Sequence, residues 1–575
     1  MANDTAVTAP RTTLQFLGAA EAVTGSKYLV TCGARRLLVD DGMFQGPKAL
    51  RERNWNPLPV DPAEITDVLV THAHMDHVGM LPRLVAHGFR GPIFATEGTT
   101  RLAEIVLRDG AKLQEQEAKE ANQGGWSKHS PALPLYTTDD VERTLPLFVP
   151  VPFDEDLDLD DGIVARFTRA GHILGSASIT LWTPTSSAVF SGDLGRPEHA
   201  VLRSRGTPPG APYVLIESTY GDRPHPEPAN LPHEDFADIV RRTIGRGGSV
   251  LVPAFAVDRT EIILKAIAGM RREGRIPFTP VYVNSPMANL TLDVYRSMPD
   301  ELRDDLRPDE LVSFEGLHSI RTPDESMAIT GGDHPPAIII AASGMAAGGR
   351  VLHHLETMLP DARNSVVFTG YQAIGTRGRQ LVEGATKLKM HGQYVPVRAE
   401  IFQDQEFSVH ADGDDAIGWL RELDPAPSTV FCVHGEPESA RALAQRIERE
   451  LPGVDAIVPA QGEVVVLDGV HAEPRRAEAA PVGGIPVGRE VRGAAGEPAS
   501  VRASVAPPTA SPAPAASSAP GSAPSRAYRL VSATTPEALS AAVTAAMGEG
   551  FEPFGAPSAS TVGAETVFLQ ALLAR

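Results

Sequence analysis

Short runs of aliphatic and β-branched residues recur through the first 470 residues, and most are near-continuous over four to six positions. Runs of this kind are typical of strands buried on both faces of a sheet. Longer stretches at 77–87, 99–121 and 258–272 predict helices between them. This alternation predicts an α/β protein with layered sheets and helices. The predicted strands are 35–39, 67–70, 164–168, 188–191, 213–216, 250–253, 280–283, 337–341, 365–369 and 429–433.

The composition limits the class of protein. A chain of 575 residues has room for about two to four domains. Lys plus Arg number 52 against 72 Asp plus Glu, a net charge of −20, which by itself disfavours a nonspecific polyanion binder. The two cysteines, Cys32 and Cys432, exclude a disulfide framework and a cysteine-based zinc module. With no secretory signal and no apolar run of about 18 residues, we expect a cytoplasmic protein without a membrane span.

The composition changes sharply in the last hundred residues. Residues 503–525 carry no charged side chain and contain six prolines in 23 positions, which predicts a disordered, semi-extended linker. Strands are predicted again at 528–531 and 568–572, and Thr535-Pro536 begins a predicted helix. We therefore expect a small C-terminal α+β module that recruits a protein or RNA partner or oligomerises the chain.

Four potential metal ligands directly follow the predicted strand at 67–70. His72, His74, Asp76 and His77 fall within six residues, where the strand gives way to a helix. Such a group suits two adjacent metal ions, and imidazole and carboxylate without thiolate favour zinc, with manganese or iron as alternatives. A solvated polar loop is the other interpretation, but the density of ligand types disfavours it.

Further candidate ligands occur at the carboxyl ends of other predicted strands. Strand ends in α/β folds line the ligand crevice, and neighbouring glycines allow close approach. Each candidate alone could equally be a structural residue, but together they complete two metal sites. These candidates are Asp40, His172, Asp193 and His434.

With these residues the chain resembles the metallo-β-lactamase fold and, within it, the β-CASP nuclease branch. The resemblance runs from Leu17-Gly18-Ala19-Ala20 to His434-Gly435-Glu436, most of the chain. It implies an αββα sandwich split by an inserted α/β domain. It also implies two Zn²⁺ ions, with Asp40 orienting the histidine loop. The first ion would be held by His72, His74 and His172, the second by Asp76, His77 and His434, and Asp193 would bridge them.

The long insert favours a nuclease over the compact hydrolases that share the same ligand motif. Glu217-Ser218-Thr219-Tyr220-Gly221 and Phe407-Ser408-Val409-His410-Ala411-Asp412 match motifs A and B of the β-CASP branch, and His434 matches the histidine form of motif C. Asn284 and Val409 depart from the usual Asp and Ala, but neither is a proposed ligand. The implied domains are the sandwich at 12–220 and 399–470, the insert at 221–398, the linker at 471–525 and the module at 526–575.

The resemblance also implies phosphodiester hydrolysis by two metal ions, with catalytic roles for His410, Glu217, Asp76 and Asp40. His410 would protonate the leaving 3′-oxygen, while Glu217 would orient His410 and favour its protonated form. The alternative is a structural hydrogen bond between Glu217 and His410 that joins the two domains.

Two glycine-rich loops, at 343–350 and 370–379, follow predicted strands and could present backbone N–H groups to RNA phosphates. Tight turns that need positive φ explain the glycines equally well. The basic residues from Arg377 to His391 predict either an RNA track or a solvated face. The candidate RNA contacts are Ser343, Gly344, Gly348, Arg377 and Arg379.

The sequence therefore predicts a zinc-dependent ribonuclease that acts on single-stranded RNA in the cleft between two domains, in RNA processing or decay. A different phosphodiesterase, a small-substrate hydrolase and a non-catalytic RNA-binding subunit are the alternatives, and a homodimer is left open. Because the net charge is acidic, we expect local attraction of the substrate and a shallow salt dependence of binding.

Overall fold

The computed structural model describes residues 11–125, 127, 129–226, 231–311, 313–330 and 334–468, together with the backbone of three C-terminal strands. The chain divides into two units, Met1–Ala479 and Ala480–Arg575. Among the described residues, no helix has both the length and the apolar composition needed to cross a membrane.

The strands of the first unit are β1 (Thr12–Gly18), β2 (Lys27–Cys32), β3 (Arg35–Val39), β4 (Asp67–Leu69), β5 (Ile93–Thr96), β6 (Phe148–Val151), β7 (Asp156–Asp158), β8 (Val164–Arg169), β9 (Ala177–Thr183), β10 (Ser186–Phe190), β11 (Tyr213–Glu217), β12 (Val250–Pro253), β13 (Val281–Val283), β14 (Leu317–Ser319), β15 (Ile338–Ala341), β16 (Ser365–Phe368), β17 (Lys387–Met390), β18 (Gln393–Pro396), β19 (Glu400–Gln403), β20 (Thr429–Val433), β21 (Asp455–Ile457) and β22 (Val464–Leu467).

The α-helices are α1 (Lys48–Arg53), α2 (Met75–Val78), α3 (Leu81–Ala86), α4 (Glu97–Gly124), α5 (Thr138–Thr144), α6 (Glu234–Gly245), α7 (Arg259–Arg272), α8 (Pro286–Ser297), α9 (Pro323–Thr330), α10 (Arg350–Met358), α11 (Arg377–Val382), α12 (Gly413–Glu422) and α13 (Pro437–Glu450). Short 3₁₀ helices lie at Pro62–Glu64, Leu145–Leu147, Pro299–Glu301 and Pro308–Leu311.

Two seven-stranded sheets face each other in the first unit, in the orders β22-β1-β2-β3-β4-β5-β6 and β21-β20-β11-β10-β9-β8-β7. Leu37 and Val39 of the first sheet pack with Leu215 and Phe431 of the second, so this core lies between them. Because successive strand residues face opposite sides, Leu38 points to the outer face of the first sheet, into a core with residues of α3 and α4. Helices α12 and α13 pack against the second sheet. The predicted αββα sandwich is confirmed.

The chain between β11 and β20 forms a third sheet, although β11 and β20 themselves are paired. Its six strands are all parallel, in the order β14-β13-β15-β12-β16-β19. Residues of α6, α7 and α8 pack on one face, with Val250 and Val252. Residues of α9, α10 and α11 pack on the other, with Leu251. Because β19 pairs with β16, this sheet extends to Gln403, past the predicted domain boundary at 398.

The predicted helix at 77–87 is wrong, because the structure has two short helices, α2 and α3, in its place. The Met80 N–H donates to Asp41 O at 2.8 Å instead of to the preceding helical turn. Pro82, which lacks an N–H, stands in the first turn of α3, where proline is tolerated. The break separates the two helices at Gly79 and Met80.

The second unit contains β23 (Tyr528–Ala533), β24 (Phe551–Val562) and β25 (Glu565–Ala574), which form an antiparallel sheet in the order β23-β25-β24. The strands predicted at 528–531 and 568–572 lie within β23 and β25. The predicted linker and the helix predicted from Thr535 lie outside the described residues.

Candidate metal centre

The candidate ligands meet at one edge of the sandwich, because each lies at or just beyond the carboxyl end of a strand. The backbone there is unusual at two positions, with φ of 58° at Asp40 and 50° at His434. Non-glycine residues rarely adopt positive φ, and such conformations cluster at functional sites. Asp40 follows β3; His72, His74, Asp76 and His77 follow β4; His172 follows β8; Asp193 follows β10; and His434 follows β20.

Three imidazoles and one carboxylate form the first group of ligands. His74 Nδ1 lies 3.1 Å from His72 Nε2 and 3.3 Å from His172 Nε2. Asp193 Oδ2 lies 3.5 Å from the Nε2 atoms of His72 and His172. Four ligands about 2.0–2.1 Å from a tetrahedral zinc ion are separated by about 3.3–3.4 Å. The spacing of this group therefore fits one zinc ion.

A second group lies on the other side of Asp193. His77 Nε2 and His434 Nε2 are 3.3 Å apart, and Asp76 Oδ2 is 3.5 Å from His434 Nε2. Asp193 Oδ1 lies 3.2 and 3.5 Å from the same two nitrogens, yet it is buried and accepts no hydrogen bond in the described part of the chain. One oxygen of Asp193 thus faces each group, which is the arrangement of a bridging carboxylate.

Asp40 supports the second group from behind. Its Oδ2 lies 2.7 Å from His77 Nδ1 and accepts a hydrogen bond from Thr71 Oγ1 at 2.8 Å, while its Oδ1 accepts one from Thr71 N at 2.8 Å. This carboxylate fixes the orientation of the His77 ring and leaves Nε2 for a metal. A carboxylate behind a ligating histidine commonly has this role.

Burial and charge set the protonation of the ligands. Burial lowers the pKa of His72 to about 4 and that of His74 to about 3, so both present lone pairs at neutral pH. Burial also opposes the charged form of His77, but Asp193 and Asp40 outweigh it and raise the His77 pKa well above its usual value. A cation between His77 and Asp193 would take the place of this proton.

Glu217 and His410 lie at the rim of the same centre. His410 Nδ1 is 3.0 Å from Glu217 Oε2 and 4.0 Å from Asp193 Oδ2. Glu217 also accepts hydrogen bonds from Leu194 N and Thr219 Oγ1, each at 2.6 Å. The His410 side chain is 17% exposed and that of Glu217 only 2%. Glu217 is therefore fixed in the protein, whereas the His410 side chain is partly exposed.

The carboxylate also affects the charge of His410. Burial opposes protonation, but Glu217 outweighs it and raises the His410 pKa above its usual value. Both residues belong to the sandwich, since His410 forms a backbone bridge with Gly195, next to β10. Their hydrogen bond therefore lies within the sandwich. The structural alternative supposed instead that this bond joins the two domains.

Comparison with known proteins bears on the family. Ribonuclease TTHA0252 of Thermus thermophilus is 38% identical over 433 residues, 74% of this chain and 94% of that protein. The RNase J-like protein of Methanocaldococcus jannaschii is 29% identical over 454 residues, 79% and 99% of the two chains. Transcription termination factor FttA of Methanosarcina mazei is 29% identical over 456 residues, 76% and 68% of the two chains.

Family models match consecutive parts of the chain. They describe a metallo-beta-lactamase superfamily domain at 22–254, a Beta-Casp domain at 261–381, a Zn-dependent metallo-hydrolase RNA specificity domain at 394–459 and a domain of unknown function, DUF1737, at 525–575. The chain belongs to the β-CASP branch of the metallo-β-lactamase superfamily. The predicted family and the metal-dependent hydrolase class are confirmed, and the fold implies divalent metal ions.

The candidate RNA contacts of the β-CASP domain are engaged within the protein. Ser343 Oγ accepts hydrogen bonds from Ala347 N at 3.0 Å and Gly348 N at 3.4 Å, so these amides already have an acceptor. A Cβ on Gly344 would lie 2.8 Å from the ring of Phe255, which explains that glycine by close packing. These residues line their own loop, and a role in binding RNA stays a prediction.

Arg377 and Arg379 also have internal partners. Arg377 donates to Lys389 O at 3.1 Å and to Ala347 O at 2.8 Å. Arg379 pairs with Glu383 at 2.6 Å. The Arg377 contacts join the hairpin β17–β18 to the loop that carries Ala347, so this guanidinium has a structural task whether or not it meets RNA.

Several residues near the centre carried no motif and were missed. The Phe255 ring lies 6.3 Å from the ring of His74, between centroids. His225 Nε2 lies 2.9 Å from His410 O, so it supports the backbone of the rim. The Tyr371 hydroxyl bonds the Glu436 carboxylate. Of these residues, only Tyr371 lies in a segment that the sequence singled out, the glycine-rich loop at 370–379.

Proposed function

We propose that the protein is a zinc-dependent ribonuclease that hydrolyses phosphodiester bonds of single-stranded RNA with two metal ions, in RNA processing or decay. The observation that carries the proposal is Asp193, whose two oxygens face two groups of ligands beside the Glu217–His410 pair. The similarity to a ribonuclease and the match to an RNA specificity domain that contains His410 and His434 support RNA as the substrate.

The side chains divide the chemical work. His72, His74, His172 and Asp193 would hold one ion, and Asp76, His77, His434 and Asp193 the other. When bound, two such ions neutralise charge on a phosphodiester and lower the pKa of a water toward neutrality. Asp40 keeps the His77 ring in place.

In this proposal His410 is the general acid. Its Nδ1 faces Glu217, so Nε2 is the nitrogen left to give a proton to the leaving 3′-oxygen. An imidazolium stabilised by a carboxylate is a suitable general acid near neutral pH. Glu217 acts through His410, because it holds the ring and favours the charged form.

Cleavage of a labelled single-stranded RNA, with and without a chelator, tests the proposal. We expect the chelator to abolish cleavage and added Zn²⁺ to restore it. His410→Ala should lose about 10²-fold or more in rate while it retains its metal, and His87→Ala, at an exposed histidine, serves as the control. Full activity in His410→Ala together with metal-independent cleavage would contradict the proposal.

Other substrates separate the alternatives. A small-substrate hydrolase would cleave chromogenic esters or diesters faster than RNA, and a non-catalytic RNA-binding subunit would contain no metal by elemental analysis. We also propose that the enzyme acts in the cytoplasm, since a chain with only two cysteines, both buried, fits a reducing compartment.

The C-terminal module is proposed to recruit a protein or RNA partner rather than to take part in catalysis. The metal centre and the Glu217–His410 pair all lie within Met1–Ala479. Truncation after residue 502 should therefore leave cleavage of a short RNA unchanged, and a collapse of activity in the truncated enzyme would contradict this role.

A further inference from the structure

A separate group of metal-ligating side chains lies in the β-CASP domain. It consists of His353 and Glu356 on α10 and His391 in the turn between β17 and β18. One ligand atom from each residue lies within 4.8 Å of the other two. None of the three belongs to the metal centre of the sandwich or to motifs A, B and C.

Local structure directs the three side chains to one point. Positions i and i+3 share a helix face, so His353 and Glu356 project together from α10. Met390 pairs with Gln393, which makes His391 and Gly392 the two-residue turn. His391 Nδ1 lies 2.7 Å from Glu356 Oε1. The His353 and His391 rings stack with centroids 5.5 Å apart and planes 30° apart.

The backbone of His391 makes this placement notable. Its φ is 43°, a left-handed conformation for which asparagine, aspartate or glycine is usual in a two-residue hairpin turn. The side chain is 52% exposed, so burial of an apolar surface does not account for a histidine here. Its contacts with α10 are what the turn provides.

We propose that His353, Glu356 and His391 bind one divalent transition-metal ion, preferentially Zn²⁺, which fastens the β17–β18 hairpin to α10. Two imidazoles and one carboxylate are a common zinc-binding set, with water as the fourth ligand. The ion would displace the proton between His391 and Glu356. Unlike the buried centre, this site is open to solvent, and its metal would exchange readily.

The position of the hairpin gives the ion a structural consequence. Lys389 O, two residues before His391, accepts a hydrogen bond from Arg377, which also donates to Ala347 O. Ala347 N in turn donates to Ser343 Oγ. An ion at the turn would therefore stiffen the chain of contacts that holds the glycine-rich loop after β15.

Metal content measured on the full-length enzyme tests the site. Wild type, His353→Ala and His391→Ala are dialysed against the same excess of Zn²⁺ and analysed for bound zinc. We expect each variant to hold one zinc per chain less than wild type. His318→Ala, which removes another exposed histidine of the same domain, should match wild type. Both cysteines are buried, so thiols should not add to the count.

Hydrogen exchange provides a second readout that does not depend on counting zinc. Added Zn²⁺ should slow amide exchange in the hairpin at 387–396 in wild type and leave it unchanged in His391→Ala. Glu356→Gln keeps the shape of the side chain and removes its charge. This variant should need a zinc concentration at least tenfold higher than wild type for the same slowing of exchange. Equal zinc content in wild type and in both histidine variants, or a hairpin response that survives His391→Ala, would overturn the proposal.

Discussion

The metal centre and the glycine-rich loop after β15 both contain polar groups, but those groups differ in whether they have hydrogen-bond partners within the protein. In the centre, Asp193 Oδ1 is buried and accepts no hydrogen bond in the described part of the chain, although two imidazole nitrogens lie within 3.5 Å. In the loop, the amides of Ala347 and Gly348 already donate to Ser343 Oγ. Buried polar groups normally have partners, so an unpaired carboxylate oxygen among histidines indicates a place where a cation binds.

This difference shows how far a polar motif can be trusted as a ligand site. A loop whose donors are satisfied within the fold is explained by the fold itself. A buried carboxylate oxygen that accepts no hydrogen bond although imidazole nitrogens lie around it indicates a ligand. The predictions below test each side of this contrast.

The largest effect is expected when the bridging carboxylate is removed. Asp193→Ala leaves both groups of candidate ligands without their shared carboxylate, so we expect RNA cleavage to fall by about 10³-fold or more and the bound metal to decrease. Single-turnover cleavage and elemental analysis measure the two effects. Asp455→Asn, at an exposed strand residue, is the control. A variant that keeps its metals and cleaves RNA within tenfold of the wild-type rate would contradict the bridging role of Asp193.

The Glu217–His410 pair tests whether two residues of the rim act as one unit. We expect Glu217→Gln to lower kcat by about 10–10²-fold and His410→Ala by about 10²–10³-fold. If Glu217 acts only through His410, the double variant should be no slower than His410→Ala alone. kcat and KM for one defined RNA measure this coupling, and multiplied losses would show that Glu217 has an independent role.

The sequence predicted the centre better than its surroundings, for a physical reason. Candidate ligands such as His172 and His434 follow predicted strands, and strand ends meet at one edge wherever the strands pair. The break between α2 and α3 depends on the Met80–Asp41 hydrogen bond, which joins separate segments. The hydrogen bond from His225 to the His410 backbone also joins residues that are distant in sequence, so no local sequence pattern predicts it.

A smaller effect is expected in the β-CASP domain. Arg377 donates hydrogen bonds to backbone carbonyls. Arg377→Ala should therefore loosen the glycine-rich loop after β15 and raise KM about 3–10-fold with little change in kcat. If the guanidinium contacts no phosphate, the salt dependence of binding should keep its slope, whereas loss of a phosphate contact lowers that slope by about one. Binding of single-stranded RNA between 50 and 200 mM salt distinguishes these outcomes, with Arg272→Ala, at an exposed arginine of the same domain outside the basic run, as the matched control. A slope reduced in Arg377→Ala would place this arginine on the RNA.

The smallest effect concerns Asp404, a buried carboxylate with one imidazole nitrogen, His233 Nδ1, at 3.9 Å, whereas five lie within 4.0 Å of Asp193. Asp404 follows the last strand of the β-CASP sheet, and its Oδ2 has no hydrogen-bond partner in the described part of the chain. Burial, with help from Glu406 and Asp235, raises the pKa of Asp404 to about 7. An unfolded aspartate has a pKa of about 3.9, so the folded state holds the proton more tightly.

The contribution of Asp404 to the free energy of unfolding should therefore fall as the pH rises from about 4 to about 7, and stay level above that range. Asp404→Asn removes this cost while it can keep the hydrogen bond that Oδ1 accepts from Glu406 N at 2.9 Å. We expect the variant to melt about 2–4 °C above wild type at pH 8, with a smaller difference at pH 5. Melting curves at the two pH values measure this, with Asp455→Asn as the control. An equal difference at both pH values would show that Asp404 is compensated like Asp193, and the contrast between the two buried carboxylates would not hold.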